Sequence, residues 1–273
     1  MVLLPETESI EVRDVWEYNL EEEFEFIRNI VDEYPYVAMD TEFPGLAMKP
    51  LAAEVTDPLD HQYKQVKLNV DHLNMIQLGL TFSDADGNLP HRDKFRSCVW
   101  QFNFREFNPM HDMHAIDSIA LLNQGGIQFK RNIQEGVSSR RFGELLMSSG
   151  VVLRDIMCWV TFHSVFDFGF LLKLLTCRKL PDTRAGFYEL LRIFFPVLYD
   201  VKYLMQFCGM HGGLNKVARL LMVERAGVSH QAGSDSLVTV RVFKNLKDNN
   251  FGGKMGRYDG VLYGFDVDNS VKR

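Results

Sequence analysis

Cysteine is scarce in this chain and never closely paired. Cys98, Cys158, Cys177 and Cys208 lie far apart, and without a C-x-x-C pair there is neither a zinc ribbon nor a thioredoxin-type motif. Scattered thiols in a chain of 273 residues point to a reducing compartment. No run approaches ~20 uncharged apolar residues, so no membrane span or membrane partner is expected. The stretch Met1-Val2-Leu3-Leu4-Pro5-Glu6 turns acidic before it reads as a signal peptide. A cytoplasmic and nuclear location is the resulting expectation. Basic charge is also in deficit: a net charge of -6 argues against holding nucleic acid on a broad basic surface. It does not argue against a site where metal ions meet phosphate. Internal repeats, low-complexity segments and linkers are absent too, so one domain over residues 1–273 is expected. The segment after Asn249, with Gly252-Gly253, is expected to be partly mobile. What is present is ordinary for a soluble globular protein, 46% hydrophobic and 24% charged, with enough chain to bury a substantial core.

The most informative stretch is Tyr36-Val37-Ala38-Met39-Asp40-Thr41-Glu42-Phe43-Pro44-Gly45, an apolar run that ends in two carboxylates one residue apart. Side chains alternate across a strand, so Asp40 and Glu42 share a face and Thr41 points to the other. Carboxylates that close repel one another and call for a cation. Two hard oxygen ligands suit Mg²⁺ or Mn²⁺ better than Zn²⁺. An acidic residue before Pro44-Gly45 is equally what a turn uses, so the pair alone does not decide.

Periodicity places the other elements. Leu20, Phe24, Ile27, Val31 and Tyr34 draw one helical stripe, with Asn19 as the expected N-cap and Glu21, Glu22 and Glu23 in the first turn. Lys49 to Asp71 reads as a long loop over the mouth of the site, on the strength of Pro50, Pro58 and mixed charge. Leu73–Phe82 and Cys98–Phe104 read as strands around a turn at Asp84-Ala85-Asp86-Gly87-Asn88. With the Tyr36 strand they make a meander of three. Ile116–Leu122, Phe142–Leu146, Asp167–Leu175, Phe187–Phe195, Val201–Cys208 and Leu214–Met222 read as helices, and Cys158–His163 as a strand. The sum is an α/β protein with a mixed sheet flanked by helices. Trp100, Phe102, Phe104, Phe194 and Phe195 fall at core spacing, and none is assigned to RNA.

Two further acids stand at helix starts. Asp167 follows a strand and opens a helix, where its carboxylate projects from the end of a sheet or simply caps. Asp235 begins a helix carrying Val238, Val242 and Leu246, and His230 lies five residues earlier. In one continuous helix the two would diverge by about 140°, so His230 belongs on the lead-in and reaches inward. Coupled to an acid, it is the candidate general base.

Asp40-Thr41-Glu42, Asp167 within Phe162-His163-Ser164-Val165-Phe166-Asp167-Phe168-Gly169-Phe170, and His230-x4-Asp235 resemble the three motifs of the DEDD exonucleases, whose fold is ribonuclease H-like. Tyr34 to Gly45, Met75-Ile76-Gln77-Leu78-Gly79-Leu80, Trp100 to Phe104 and Gln231 to Leu237 resemble one family among them. That family is the Caf-type (Pop-type) poly(A)-specific ribonucleases, catalytic subunits of the Ccr-Not deadenylase complex, and the wording resembles plant members. The likeness runs from about Val12 to Gly264. It implies that Asp40, Glu42, Asp167 and Asp235 bind two divalent cations, Mg²⁺ or Mn²⁺, and that His230 positions or deprotonates the attacking water. It further implies 3′ to 5′ removal of adenosine 5′-monophosphate from the poly(A) RNA 3′ end, with a scaffold and other Ccr-Not subunits as partners. A DNA-directed proofreading enzyme of the same fold is disfavoured by the family-specific stretches.

The resemblance departs at Val165 and Phe166, where the family has Gly and Tyr, and at Phe170, where it has Tyr. A glycine position of positive φ would strain valine, and a crowded one would narrow the substrate path. The missing hydroxyls remove hydrogen bonds and leave aromatic packing. Reduced rather than abolished activity is the expectation, with a weakly active protein-binding module of the complex as the alternative.

Overall fold

The computed structural model describes residues 9–50, 57–93 and 96–265. Its centre is β2 (Tyr36–Glu42), which pairs antiparallel with β3 (Gln77–Ser83) on one side and parallel with β6 (Cys158–Thr161) on the other. Beyond β3 come β5 (Arg96–Asn103), antiparallel, and β1 (Ser9–Val15), parallel to β5. Beyond β6 comes β7 (Val197–Asp200), also parallel. A short β4 (His91–Asp93) pairs with β5, making one seven-stranded mixed sheet in the order β1-β5-β3-β2-β6-β7. The expected meander is β2, β3 and β5.

Both faces of the sheet are covered at its centre, which is why the central strands are apolar or small over most of their length. On one face α1 (Leu20–Ile30), α2 (Pro58–His72), α5 (Ser139–Met147), α6 (Val165–Thr176) and α7 (Arg184–Phe194) bury Val37, Met39, Leu78, Leu80, Phe82, Trp100 and Phe102. On the other, α8 (Val201–Leu204), α9 (Leu214–Leu220) and α10 (Ala232–Asn249) pack over Ala38, Val99, Cys158, Val160 and Tyr199. The short α3 (Ile116–Gln124) and α4 (Phe129–Glu135) close a small third cluster around Ile76, Phe107, Leu122 and Ile127. Trp100, Phe102, Phe104 and Phe195 are core, and Phe194 packs against it. No helix among the described residues is long and apolar enough to cross a membrane.

One expectation is corrected. The long loop from Lys49 to Asp71 is in its described part a helix. Asp57 caps α2 by accepting from the Leu59 N–H at 3.1 Å, and Pro58 occupies the first turn, where proline is favoured rather than disruptive. Tyr63, Val66 and Val70 supply the buried face of that helix, while residues 51–56 of the expected loop lie outside the described residues. Asn19 stands at the N-cap position of α1 as expected, but its side chain makes no capping bond. Its Oδ1 accepts from the Trp16 N–H and its Nδ2 donates to the Asp14 carbonyl, so the side chain ties down the preceding turn instead. In the segment after Asn249, Tyr258, Leu262 and Phe265 are buried. Residues 266–273 lie outside the described residues.

Candidate active site

The end of β2 sets the site. Strand alternation turns Val37, Met39 and Thr41 toward α6, and Ala38, Asp40 and Glu42 toward α10. The two carboxylates open two polar rows that cross the sheet. Asp40 is registered with Gly79, Gln101 and Asp14, and Glu42 with Gln77 and Asn103. Beyond Ala38, β2 has no registered partner on the β6 side. The Thr41 N–H that β6 leaves unpaired there needs an acceptor.

Asp167 is that acceptor. It sits in the first turn of α6, and its Oδ1 accepts from the Thr41 N–H at 2.9 Å and from the Thr41 hydroxyl at 2.7 Å. The residue between the two strand acids therefore pins the third acid to the same strand end. The sequence placed Asp167 at a helix start and carried no sign of Thr41's part, since the two are 126 positions apart.

The fourth acid and the histidine arrive with α10. Gly79 makes room for that helix, because a Cβ there would stand 1.9 Å from the Ala232 carbonyl oxygen. The orphan N–H groups at the start of α10 are met by strand amides: Gln77 Oε1 accepts from Ala232 at 2.8 Å and Gln101 Oε1 from Gly233 at 3.1 Å. Asp235 lies in the first turn of the helix, three residues inside its start rather than at it. His230 is on the lead-in with φ 65°, and its main-chain N–H donates to Asp235 Oδ2 at 3.0 Å. That reversal brings the imidazole toward the acids instead of away from them. Glu42, His230 and Asp235 each offer one ligand atom, all within 4.8 Å of one another.

The electrostatics follow from the crowding. Burial, then the charges of Asp235, Glu42 and Asp167, hold the Asp40 carboxyl well above its ordinary range, and Arg225 opposes them. Burial, Asp235 and Asp167 push Glu42 up to about 8. Burial raises Asp167 to about 6 even against its two bonds from Thr41. Arg225 pairs with Asp235 at 2.5 Å and also donates to Ser234 and Asn215. It is the cation the sequence reading missed, in an irregular stretch with no pattern to single it out. Glu42, Asp235 and the His230 imidazole within mutual reach, with Asp40 and Asp167 near enough to act on them by charge, are a donor set that fits small, hard divalent cations.

The positions that depart from the family pattern are accommodated. Val165 lies within α6, is not among the residues of positive φ and is 3% exposed, so the glycine-specific strain does not arise. Phe166 stacks on Phe43 at 5.5 Å between ring centres, and Phe170 lies 5.1 Å from the same ring. Phe43 directly follows Glu42, so the three rings form an apolar wall beside the acids.

Comparison with known proteins agrees with this geometry. The model of the CAF1 family ribonucleases matches residues 15–144. A probable CCR4-associated factor 1 homologue from Arabidopsis thaliana is 54% identical over 98% of this chain and 98% of its own length. The poly(A) ribonuclease pop2 of Schizosaccharomyces pombe is 42% identical over 95% of this chain and 76% of its own length. The structure of Pop2 from that organism in its Mg²⁺- and Mn²⁺-bound form, 43% identical, superposes with a TM-score of 0.88 over 93% of this chain and 99% of the other. The ribonuclease H-like architecture expected from the sequence is thus the one observed. A yeast CAF1 co-crystallised with the NOT1 MIF4G domain, 33% identical, reaches 0.78 over 96% of this chain and all of the other. A fold, an acidic strand end and near full-length identity converge on one assignment: the chain belongs to the CAF1 family of ribonucleases.

Proposed function

We propose that the chain is an active, metal-dependent 3′ to 5′ exoribonuclease that shortens poly(A) tails. The observation that carries this reading is the grouping of Glu42, His230 and Asp235 within 4.8 Å at one strand end, with Asp40 and Asp167 coupled to them by charge. Their raised affinity for protons is equally an affinity for cations, since both relieve the same repulsion. The four carboxylates would hold two divalent ions, Mg²⁺ or Mn²⁺, which supply charge stabilisation to the phosphate under attack and to the departing 3′ oxygen.

The residues divide the remaining work. Thr41 fixes the reach of Asp167, and Arg225 steadies Asp235 through its guanidinium. His230, held by its main-chain bond to Asp235, takes the proton of the attacking water. Attack on the last phosphodiester releases a nucleotide 5′-monophosphate and leaves a fresh 3′ hydroxyl. Preference for adenosine is supported by the name of the fission yeast relative. Assembly into a Ccr-Not complex is supported by the names of the Arabidopsis and yeast relatives. The cytoplasm and the nucleus are the proposed places of action, on the ground that the cysteines are free thiols. The helical backbone of Val165, without positive φ, supports the active reading over that of an inactive binding module.

The test is cleavage of a 5′-labelled RNA ending in adenosines, with Mg²⁺ or Mn²⁺, beside one ending in cytidines and beside Asp40→Ala. A ladder that shortens from the 3′ end, prefers adenosine and vanishes with chelator or with the variant is expected. No ladder from folded protein under either metal would overturn the reading.

A further inference from the structure

Asp200 is a fully buried carboxylate that no part of the chemistry above uses. It ends β7, in register with Thr161, the last residue of β6. Its Oδ1 accepts from the N–H of His163 at 2.8 Å and of Lys202 at 2.9 Å. Its Oδ2 accepts from Tyr263 at 3.0 Å and, more weakly, from Ser164 at 3.4 Å. Only the Lys202 bond is the local capping of α8 that an aspartate at a helix start commonly provides. The other three reach the turn between β6 and α6 and the C-terminal segment.

That turn is where the path to Asp167 is decided. His163 adopts φ 60°, a left-handed conformation that costs a side chain roughly 1–2 kcal/mol and persists only where its surroundings hold it. Ser164 is the N-cap of α6, yet its hydroxyl makes no capping bond and instead meets Thr161 Oγ1 at 2.5 Å. The Ser164 carbonyl accepts from the Phe168 N–H at 3.0 Å, which starts the helix. Asp167, three residues on, is aimed at Thr41 from a helix end whose direction is set by backbone that Asp200 grips. The His163 ring meets Tyr263 edge-on at 5.1 Å, so the same carboxylate also locks the C-terminal segment against the turn.

We propose that Asp200 is a positioning residue for the metal site: its carboxylate fixes the left-handed turn at His163, and thereby where α6 delivers Asp167. The inference rests on the metal-binding reading above. An asparagine cannot substitute, because whichever way the amide turns, its NH₂ faces two of the N–H donors that the carboxylate oxygens accept.

The experiment is calorimetric titration of metal-free protein with Mn²⁺, each variant first checked for folding by circular dichroism. Asp200→Asn is expected to bind Mn²⁺ about tenfold more weakly, in the range typical of groups that orient metal ligands. Val217→Ala, a core truncation under α9, is expected to lower the melting temperature and leave the affinity unchanged, which separates positioning from general loss of stability. Should Asp200→Asn fail to fold, Thr161→Val removes the hydroxyl tie to Ser164 within the same turn, together with a longer bond to the Tyr199 carbonyl, and is expected to weaken binding in the same direction. Wild-type affinity in folded Asp200→Asn, or in Thr161→Val where that is the variant available, would overturn the proposal. Wild-type protein that binds no Mn²⁺, indistinguishable from Asp40→Asn, would instead overturn the metal-site reading and this inference with it.

Discussion

At the scale of single residues, the acids trade stability for affinity. At neutral pH Glu42, raised to about 8, holds a proton that the unfolded chain has released, and Asp40 and Asp167 keep theirs to higher pH folded than unfolded. Their contribution to stability is complete below the ordinary carboxylate pKa and is lost as pH rises through the folded values, for Glu42 through about 8. The melting temperature of metal-free protein should therefore fall between about pH 5 and about pH 9, and scanning calorimetry in chelator will follow it. Glu42→Gln should raise the melting temperature at the upper end of that range, flatten the slope, and cut RNA cleavage by more than about 100-fold. Thr41→Val, at a buried position, takes one of two donors from Asp167 and keeps the shape. It should raise the metal concentration for half-maximal cleavage about tenfold. The shared face of Asp40 and Glu42 was legible in the sequence because alternation along a strand is local. Thr41, Arg225 and Asp200 were not, because each acts on a group that only the folded chain brings near.

At the scale of elements, long apolar stripes gave themselves away and short or two-sided ones did not. The stripe of α1 is amphipathic over several turns, so its position was readable, and the helices from Phe142 to Met222 followed from apolar spacing with glycine or proline stops. β1, with its mixed charges, and β7, four residues long, carry no such pattern, and both are held by partners on the sheet. In α2 a proline at the first helical position mimics a loop. The seat of α10 on β3 is another case: Gly79 inside a strand is a readable sign of close backbone approach, but what approaches it is 153 positions away (232 − 79). Gly79→Ala forces the Ala232 carbonyl aside, and Asp235 and His230 travel with that helix start. A loss of about 3 kcal/mol in urea unfolding is expected. Cleavage should fall further than the lost stability accounts for, when assayed where the variant is still fully folded.

At the scale of the whole molecule, the chain closes on itself through its last described residues. Leu198 donates to Asp259, Gly260 donates back to the Leu198 carbonyl, and Phe265 enters the core among Tyr63, Phe187 and Tyr188. Glycines and polar residues dominate this stretch, and Met255, Tyr258, Leu262 and Phe265 are nonetheless buried within it. Phe265→Ala should cost about 3–5 kcal/mol in urea unfolding, the range for a buried aromatic ring. The register of β2 reaches further still. Were β2 to slip by one residue against β3, every side chain would change face. Asp40 and Glu42 would then point into the layer that now holds Val37 and Met39, among Leu78, Leu80 and Phe168. The side chains at those positions are apolar, so the misaligned chain would bury two carboxylates at a cost that favours the native pairing. The carboxylates of the candidate site would thus also weigh against a misthreaded sheet during folding, before any substrate is met.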